Sequence, residues 1–341
     1  MKKVSLAEAV GEVLGHDITE ISRSNHYKGV AFKRGHIIQP EDLSKLERLG
    51  KNHIYIWEGS ESEVHEDAAA LLMAPKIAGE NIYFDEEPRE GKVSFFAATR
   101  GIFKVDKNRL EQINALAIPS LPTIHNNFPV NRNKQLAAFR IIPLTCPREI
   151  IDQMSELLDQ PLISVKPFII QSAAVLVTGN EVHSGRITDD FTPTLTDKLK
   201  PFGVTVNYSR ILPDSKAEIS QAITQAAEQS ELILVSGGTS VDPDDVTVAA
   251  MKEAGVQFHN QGNPIQPGNN LTIGRVGHIT VCAVPAAALF FDKTALDIFL
   301  PRLLAGETIN PQDIAKAGHG GLCHFCPKCQ YPICPFGWGS S

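Results

Sequence analysis

Short apolar runs alternate with helical patterns from about residue 168 onward, and this alternation constrains the fold more than any other feature of the sequence. The predicted elements, in chain order, are a strand at 173–178, a helix at 192–200, an extended segment at 204–208, a helix at 215–229, a strand at 232–235, a helix at about 246–254 that leads to 256–258, a strand at 278–282 and a long apolar helix at 286–303. Alternation of this kind is typical of an α/β fold with helices on both faces of a mostly parallel sheet. We therefore expect a three-layer domain at 168–306.

Ligands of such sheets bind at the carboxyl ends of the strands. Residues 178–181 follow one predicted strand, and residues 236–247 follow another. The carboxyl ends of neighbouring parallel strands meet at one edge of a sheet, so we expect these two segments to lie on the same rim. Neither segment alone supports that conclusion.

The loop at 236–247 combines two glycines with three carboxylates. Gly237 and Gly238 let the backbone come close to a ligand, and N–H groups in such a turn attract anions, especially ahead of a helix. Asp242, Asp244 and Asp245 would repel a phosphate unless a hard divalent cation lay between them. The combination predicts a Mg²⁺-assisted phosphate or pyrophosphate site. The alternative is a strand-to-helix turn whose acids only stabilise the start of the helix.

Composition excludes several classes of function. The formal charge of −7 and the lack of a long basic run argue against nucleic acid as the main partner. Two lysines at the start are not followed by an apolar stretch, and no apolar run approaches the roughly 18 residues of a membrane span. We expect a cytoplasmic protein that binds neither nucleic acid nor membrane.

The chain of 341 residues is long enough for two domains and an appendage. Residues 1–60 predict a small N-terminal α/β unit, in which Ser5 and Glu8 have capping-box spacing. Residues 61–167 predict a mixed α+β region that indicates no chemistry. The α/β domain at 168–306 follows, and residues 315–341 form a separate cysteine-rich tail.

The tail carries four cysteines with the spacing C-x2-C-x2-C-x4-C. A segment this short and this rich in proline and glycine cannot bury a core of its own, whereas a metal held by thiolates would order it. Zinc would take a tetrahedral set, with His319 or His324 able to replace one ligand. The spacing also approaches that of bacterial iron–sulfur proteins, and free thiols or disulfides stay open. The candidate metal ligands are Cys323, Cys326, Cys329 and Cys334.

Four segments together resemble the molybdopterin-binding domain of molybdenum cofactor biosynthesis proteins, and most of all MoeA-like molybdopterin molybdenumtransferases. These segments are Thr178-Gly179-Asn180-Glu181-Val182, residues 184–189, residues 236–247 and Pro267-Gly268-Asn269. The resemblance extends over about 168–305. It implies a homodimer that binds molybdopterin or adenylyl-molybdopterin and uses Mg²⁺ and molybdate.

The resemblance also implies roles for individual residues. It assigns the catalytic acids as Glu181, Asp189 and Asp245. It places Mg²⁺ at Asp245, and the acidic loop itself adds Asp242 as a second candidate ligand. The residues that would contact the cofactor are Thr178, Gly179, Gly237, Gly238, Thr239, Ser240, Pro267 and Gly268.

Three departures from the family pattern affect the expected activity. Asn180 stands where the family has aspartate, Phe191 where it has asparagine, and residues 284–287 read Val-Pro-Ala-Ala where it has Leu-Pro-Gly-Asn. The leading hypothesis is an enzyme that inserts molybdenum with release of AMP. The second is a carrier or sensor of the cofactor whose tail docks a molybdoenzyme. The third is a nucleotide-processing enzyme similar to the competence-damage-inducible family.

Overall fold

The computed structural model describes residues 1–22, 26–57, 62–237 and 246–340. The chain divides into two compact units. The first consists of Met1–Phe96, Val105–Thr123 and Gln135–Ile163, and the second of Ala97–Lys104, Ile124–Lys134 and Ser164–Ser341. The four-segment organisation inferred from the sequence stays a prediction. Across the described ranges, no helix has the length and apolar character needed to cross a membrane.

Both units contain strands as well as helices. The strands, in chain order, are β1 (Lys2–Ser5), β2 (Ile18–Ser22), β3 (Tyr27–Phe32), β4 (His53–Ile56), β5 (Glu63–His65), β6 (Ile82–Phe84), β7 (Val93–Ala97), β8 (Gly101–Val105), β9 (Pro119–Ser120), β10 (Pro129–Val130), β11 (Gln135–Ile141), β12 (Thr145–Pro147), β13 (Ile163–Pro167), β14 (Ser172–Thr178), β15 (Thr205–Leu212), β16 (Leu232–Ser236), β17 (Gln257–Gln261), β18 (Thr272–Val276) and β19 (Ile279–Val284). The helices are α1 (Leu43–Arg48), α2 (Glu66–Ile77), α3 (Lys107–Ala115), α4 (Arg148–Leu157), α5 (Asn180–His183), α6 (Phe191–Leu199), α7 (Lys216–Ala227), α8 (Thr247–Glu253), α9 (Ala287–Phe290), α10 (Ala295–Leu304) and α11 (Pro311–Lys316).

The first unit is built from small antiparallel sheets. β1 pairs with β4, and apolar side chains of this region, among them Leu14 and Leu46, bury one core. A four-stranded sheet has the order β6-β7-β11-β9 and buries Phe95 and Phe139. The Ser5–Glu8 spacing closes a short turn, since Ser5 Oγ donates to Glu8 Oε2 at 2.7 Å, but the turn is 3-10 rather than α-helical.

One buried carboxylate gives the first unit a pH dependence. Glu66, the first residue of α2, is about 5% exposed, and its Oε2 accepts a hydrogen bond from Arg140 at 3.2 Å. Burial raises the pKa of Glu66 to about 7, and the Arg140 guanidinium opposes only part of that shift. Between about pH 4.5 and pH 7, Glu66 therefore carries a proton in the folded chain but not in the unfolded chain.

The second unit is organised around a six-stranded sheet with the order β15-β14-β16-β19-β18-β17. The first four of these strands pair in parallel, and β18 and β17 extend the sheet in antiparallel fashion. The central strands are buried on both faces, as their continuous apolar sequences predict. The sheet is thus mostly parallel but mixed at one edge.

Helices cover both faces of this sheet. On one face, α6 and α10 bury Leu195 and Phe299 against the strands. On the other face, α7 and α8 bury Ile223 and Met251. The predicted helix at 215–229 is confirmed as α7, and Ser215 Oγ accepts from the Glu218 N–H at 3.4 Å at its start. The three layers expected for the second unit are present.

The prediction of one long apolar helix at 286–303 is wrong, because the segment forms two helices, α9 and α10. Phe291 adopts an extended backbone and ends α9. Thr294 and Asp297 then form a capping box, in which the Asp297 carboxylate accepts from the Thr294 N–H at 2.8 Å. The polar pair starts a new helix inside a run that periodicity alone presents as continuous.

Pro301 lies within α10 and leaves a carbonyl unpaired. A proline has no N–H to donate to the carbonyl four residues earlier, which in α10 belongs to Asp297. The hydroxyl of Tyr331, in the C-terminal tail, donates to that carbonyl at 2.9 Å. The tail therefore completes the hydrogen bonding of α10.

The tail is attached to the second unit at both of its ends. The Cys323 N–H donates to the carbonyl of Gln266, and the Gln266 N–H donates to the carbonyl of Gly321, both at 2.8 Å. Phe336 is buried in the same core as α10. Residues 323–337, all of which the structure describes, contain neither helix nor strand. The segment is thus held at its ends and irregular between them.

Candidate functional site

Two adjacent parallel strands send their connections to opposite faces of the sheet. The chain leaving β14 continues into α6 on one face, whereas the chain leaving β16 continues into α8 on the other. Diverging connections open a crevice between the carboxyl ends of two strands, and open α/β sheets bind ligands in such a crevice. The turns at Gly179 and Gly237 both begin at this point, which we call the β14–β16 crevice. The described starts of the two segments expected on one rim, residues 178–181 and residues 236–237, are therefore neighbours.

These two turns are packed directly against each other. Gly179 has a φ of +149° and Gly237 a φ of +89°, values that disfavour any residue with a Cβ. A Cβ added to Gly237 would lie 2.8 Å from Thr178 Oγ1 and closer still to the Thr178 carbonyl oxygen. Glycine is required at 237 both by its backbone conformation and by this contact.

Buried threonine hydroxyls hold the base of the second turn. Thr178 Oγ1 donates to the carbonyl of Ser236 at 3.1 Å. Thr247 Oγ1, at the start of α8, donates to the carbonyl of Gly237 at 2.9 Å and lies 3.3 Å from Thr178 Oγ1. The point where the loop leaves the sheet and the point where it returns are therefore fixed to each other.

Ser236, the last residue of β16, carries a further hydroxyl next to Gly237. Its side chain is fully buried, and its Oγ has no hydrogen-bond partner among the residues that the structure describes. Leaving a buried polar group unpaired costs on the order of 1–3 kcal/mol, which an oxygen-rich ligand would offset. Sequence reasoning assigned no role to Ser236 or Thr247, although both flank the glycine loop.

Much of the predicted phosphate loop lies outside the described residues. This applies to Gly238, Thr239, Ser240, Asp242 and Asp245. The Mg²⁺ site at Asp242 and Asp245 therefore stays a prediction. Gly237 and Thr247 are described residues on the two sides of that loop.

The two other predicted acids have different surroundings. Glu181 lies in α5 with an exposed side chain, and a Cβ added to Gly179 would lie 2.8 Å from its Oε1, so the carboxylate bends back over the first turn. Asp189 Oδ1 accepts the N–H groups of Phe191 at 2.9 Å and Thr192 at 3.1 Å. Asp189 thus stabilises the start of α6, where a negative charge is favoured by the helix dipole.

Asp214 is a rim carboxylate that sequence reasoning missed. Its Oδ2 accepts the N–H of Asn180 at 2.9 Å, and its own N–H donates to Asn180 Oδ1 at 3.2 Å. Asn180, the departure from the family's aspartate, is therefore one half of a reciprocal pair. Asp214 closely follows the end of β15, so the rule used for the other two loops could have identified it.

Pro267 and Gly268 lie on the same edge of the sheet, because β18 runs antiparallel to β19 and starts near its carboxyl end. Both residues are buried. The carbonyl of Pro267 accepts the N–H of Ala295, and a Cβ at Gly268 would lie 2.9 Å from that nitrogen. This turn contacts the start of α10, which gives it a packing role in addition to the predicted cofactor contact.

A cavity of about 550 Å³ is lined by residues outside the Gly179 and Gly237 turns, among them Thr194 of α6 and residues 288–293, which follow β19. Its lining combines aromatic rings with cations. Two of these cations are already paired, since Lys198 and Lys293 both bind the carboxylate of Asp297. The lining includes Arg100, Asn131, Phe168, Lys198, Phe202, Phe291, Lys293 and Tyr331.

The four tail cysteines are free thiols. Cys323 and Cys334 are partly buried, whereas Cys326 and Cys329 are exposed. Across the part of the chain that the structure describes, no three histidine, cysteine, aspartate or glutamate side chains are grouped so as to hold a metal ion. The zinc or iron–sulfur assignment stays a prediction.

Two family models match parts of the chain. Residues 174–305 match the family described as a probable molybdopterin binding domain. Residues 3–58 match a domain of unknown function (DUF8806). The first match spans the β14–β16 crevice and both of its turns.

Comparison with individual proteins gives partial similarity. The chain is 32% identical over 105 residues to a CinA-like protein of Mycolicibacterium gilvum, covering 30% of this chain and 24% of that protein. It is 30% identical over 131 residues to the molybdopterin molybdenumtransferase of Haemophilus influenzae, covering 36% of this chain and 32% of that protein. The chain thus spans about a quarter to a third of the length of these relatives.

Two solved structures similar to the chain are small proteins that it covers almost completely. One is the molybdopterin biosynthesis enzyme MoaB of Thermus thermophilus, at 17% identity and a TM-score of 0.32, with 40% of this chain and 98% of that chain covered. The other is the tungsten cofactor synthesizing protein MoaB of Pyrococcus furiosus, at 17% identity and a TM-score of 0.30, with 41% and 99% covered.

Proposed function

We propose that the β14–β16 crevice binds molybdopterin or adenylyl-molybdopterin through the phosphate or pyrophosphate part of the ligand. The observation that carries this proposal is the direct packing of the Gly179 and Gly237 turns where two adjacent strands diverge. The match of residues 174–305 to a probable molybdopterin binding domain supports the class of ligand.

The chemistry of the crevice suits an anionic, oxygen-rich group. Gly237, in a conformation that excludes a Cβ, exposes main chain rather than a side chain at the mouth of the loop. N–H groups in such a turn ahead of a helix attract anions. The buried hydroxyl of Ser236 adds a donor that is unpaired among the described residues. These groups would position the ligand without contributing a reacting atom.

We infer further that the chain is an enzyme that inserts molybdenum from molybdate, with cleavage of the pyrophosphate of adenylyl-molybdopterin and release of AMP. Asp242 and Asp245 would hold Mg²⁺, which when bound offsets the charge of phosphate oxygens and carboxylates. Glu181, whose carboxylate bends back over the first turn, would orient the ligand from the opposite wall of the crevice. Catalysis would then be mainly positioning and electrostatics.

A second candidate function is a carrier or sensor that holds the cofactor without turnover. The Asn180–Asp214 pair favours it, because the side-chain oxygen at position 180 is already occupied by a backbone N–H and carries no charge. Mg²⁺ binding at that position would be weak. Ligand recognition by the two turns does not require this residue.

The deciding experiment measures AMP release from adenylyl-molybdopterin by the purified chain in the presence of molybdate and Mg²⁺, together with ligand binding by equilibrium dialysis. The variants are Asp245→Ala and, as a control, Glu228→Ala, an exposed acid between α7 and the start of β16, at the other edge of the sheet.

Release that is lost in Asp245→Ala and kept in Glu228→Ala establishes the transferase. Tight binding without release supports the carrier. Lack of affinity for any pterin, combined with hydrolysis of a pyrophosphate-containing nucleotide, overturns both and supports the nucleotide-processing alternative.

A further inference from the structure

The four tail cysteines line a single cavity. This tail cavity has a volume of about 480 Å³. Its wall is formed by the residues that link α9 to α10 and by the tail itself. The lining consists of Phe290, Phe291, Asp292, Lys293, Cys323, His324, Phe325, Cys326, Cys329, Gln330, Tyr331, Cys334, Pro335 and Phe336. Every cysteine of the C-x2-C-x2-C-x4-C pattern therefore borders one shared space.

The ends of the cysteine run are fixed to the folded unit. The backbone of Cys323 is paired with Gln266, and Phe336 is buried two residues beyond Cys334. Tyr331, between the third and fourth cysteines, is tied to α10 through the carbonyl of Asp297. These attachments hold the run beside one cavity, and all four cysteines are free thiols. Among the described residues, no three of these side chains are grouped closely enough to hold a metal ion.

The interior of the run is adaptable. Cys326 and Cys329 are exposed and belong to irregular backbone, so the two thiols can move without breaking a helix or a strand. At Cys323 the Sγ already accepts a hydrogen bond from the N–H of Phe325 at 3.4 Å, and Phe325 has a φ of +50°. Hydrogen bonds of this kind to the ligating sulfur atoms tune the properties of thiolate-bound metals, such as the reduction potential of a cluster.

We propose that the tail cavity binds a metal centre through the thiolates of its four cysteines. The class of cofactor is a thiophilic metal, either a single tetrahedral zinc ion or an iron–sulfur cluster, since both are held by sets of cysteine thiolates. Each ligating thiol releases its proton to solvent as the metal binds. Binding draws Cys326 and Cys329 toward the two partly buried thiols and closes the run around the metal.

The rest of the cavity lining carries charges of both signs and apolar rings. Lys293 and Asp292 both line the cavity, and the Lys293 ammonium is paired with Asp297 at 3.2 Å. Phe290, Phe291 and Phe336 present apolar surface, which limits the access of water to the metal. The other two cysteines of the chain, Cys146 and Cys282, are buried elsewhere, and burial raises their pKa values to about 11 and about 12. Neither of them lines the tail cavity, so they do not compete as ligands there.

The test uses the full chain, purified without oxygen and without added metal. Metal content is measured by mass spectrometry of the elements, sulfide by acid release, and thiols by alkylation. The metal-free chain is then titrated with Co²⁺, whose thiolate charge-transfer absorption reports ligation by cysteine. The variants are Cys326→Ser and Cys329→Ser, with Cys282→Ala as the control.

We expect about one zinc per chain without sulfide, as one tetrahedral site requires, or iron together with sulfide if the centre is a cluster. Either serine variant should weaken Co²⁺ binding by at least the roughly 10- to 100-fold that loss of an outer-shell partner costs. Cys282→Ala should bind Co²⁺ as the unaltered chain does. Circular dichroism of the two serine variants should match that of the unaltered chain, since residues 326 and 329 are exposed.

Two results overturn the proposal. In the first, Co²⁺ binds equally well to the unaltered chain and to both serine variants. In the second, alkylation finds the four tail thiols unavailable in the metal-free chain until a disulfide reductant is added, which would identify them as disulfide-bonded. Neither result bears on ligand binding at the β14–β16 crevice.

Discussion

Replacement of Gly237 by alanine tests whether the two turns of the crevice are as closely packed as the structure indicates. The φ of +89° disfavours an L-residue by about 1–2 kcal/mol. The new Cβ would also lie 2.8 Å from Thr178 Oγ1 and closer to the Thr178 carbonyl, which is backbone and cannot rotate away. Overpacking of this kind costs about 1–3 kcal/mol more. We therefore expect Gly237→Ala to lower the free energy of unfolding by about 2–5 kcal/mol.

Gly255→Ala is the matched control in the same unit. Gly255 has a nearly equal φ of +81°, but a Cβ there would meet no atom within 4 Å. It should therefore lower the free energy of unfolding by only the backbone part, about 1–2 kcal/mol. Urea denaturation followed by circular dichroism measures both variants. Equal losses would refute the close contact between the turns, whereas a larger loss in Gly237→Ala, accompanied by weaker pterin binding, would support it.

Three further substitutions test other parts of the structure. Thr247→Val removes the hydroxyl that holds the base of the loop, so urea denaturation should show a loss of about 1–3 kcal/mol, and an unchanged midpoint would argue against that bond. The raised pKa of Glu66 means that the folded state binds a proton that the unfolded state does not, despite Arg140, so the unaltered chain should lose roughly 3 kcal/mol of stability as the pH rises from about 4.5 to 7. Glu66→Gln should not show this loss. Parallel profiles of stability against pH for the variant and the unaltered chain would contradict the prediction. Asp297→Ala removes the carboxylate that pairs with Lys198 and caps α10, and it leaves the Lys198 ammonium only its bond to the Asp292 carbonyl at 2.8 Å. It should cost about 3–5 kcal/mol in the same assay, and a loss under about 1 kcal/mol would show that the carboxylate contributes little.

The sequence predicted the parts of the second unit that depend on local pattern. The continuous apolar runs at 173–178 and 232–235 are central strands, and the rule that loops gather at the carboxyl ends correctly brought Gly179 and Gly237 to one edge. Those features follow from burial and periodicity within a few residues. The expected helix at 286–303 failed because a threonine–aspartate capping box was hidden in an apolar run.

Pairings between distant segments could not be predicted in this way. The antiparallel strand β18 was missed because its sequence contains Gly274 and Arg275, and its strand character depends on pairing with β19. The reciprocal bonds between Asn180 and Asp214 join the ends of two loops. The sequence alone does not show what an asparagine at position 180 does. Its role can be read only when its partner, Asp214, is known.

The bond between Tyr331 and α10 makes two distant positions dependent on each other in evolution. Pro301 leaves a carbonyl without its helical donor, and the tyrosine hydroxyl supplies one. In a homologue without the tail, replacing the proline with a residue that carries an N–H would restore the missing hydrogen bond and stabilise α10. A homologue that keeps the proline should also keep tyrosine or another donor in the tail. The proline–tyrosine pair is thus a marker by which sequences with a docked tail can be separated from sequences in which the tail is absent or lies elsewhere.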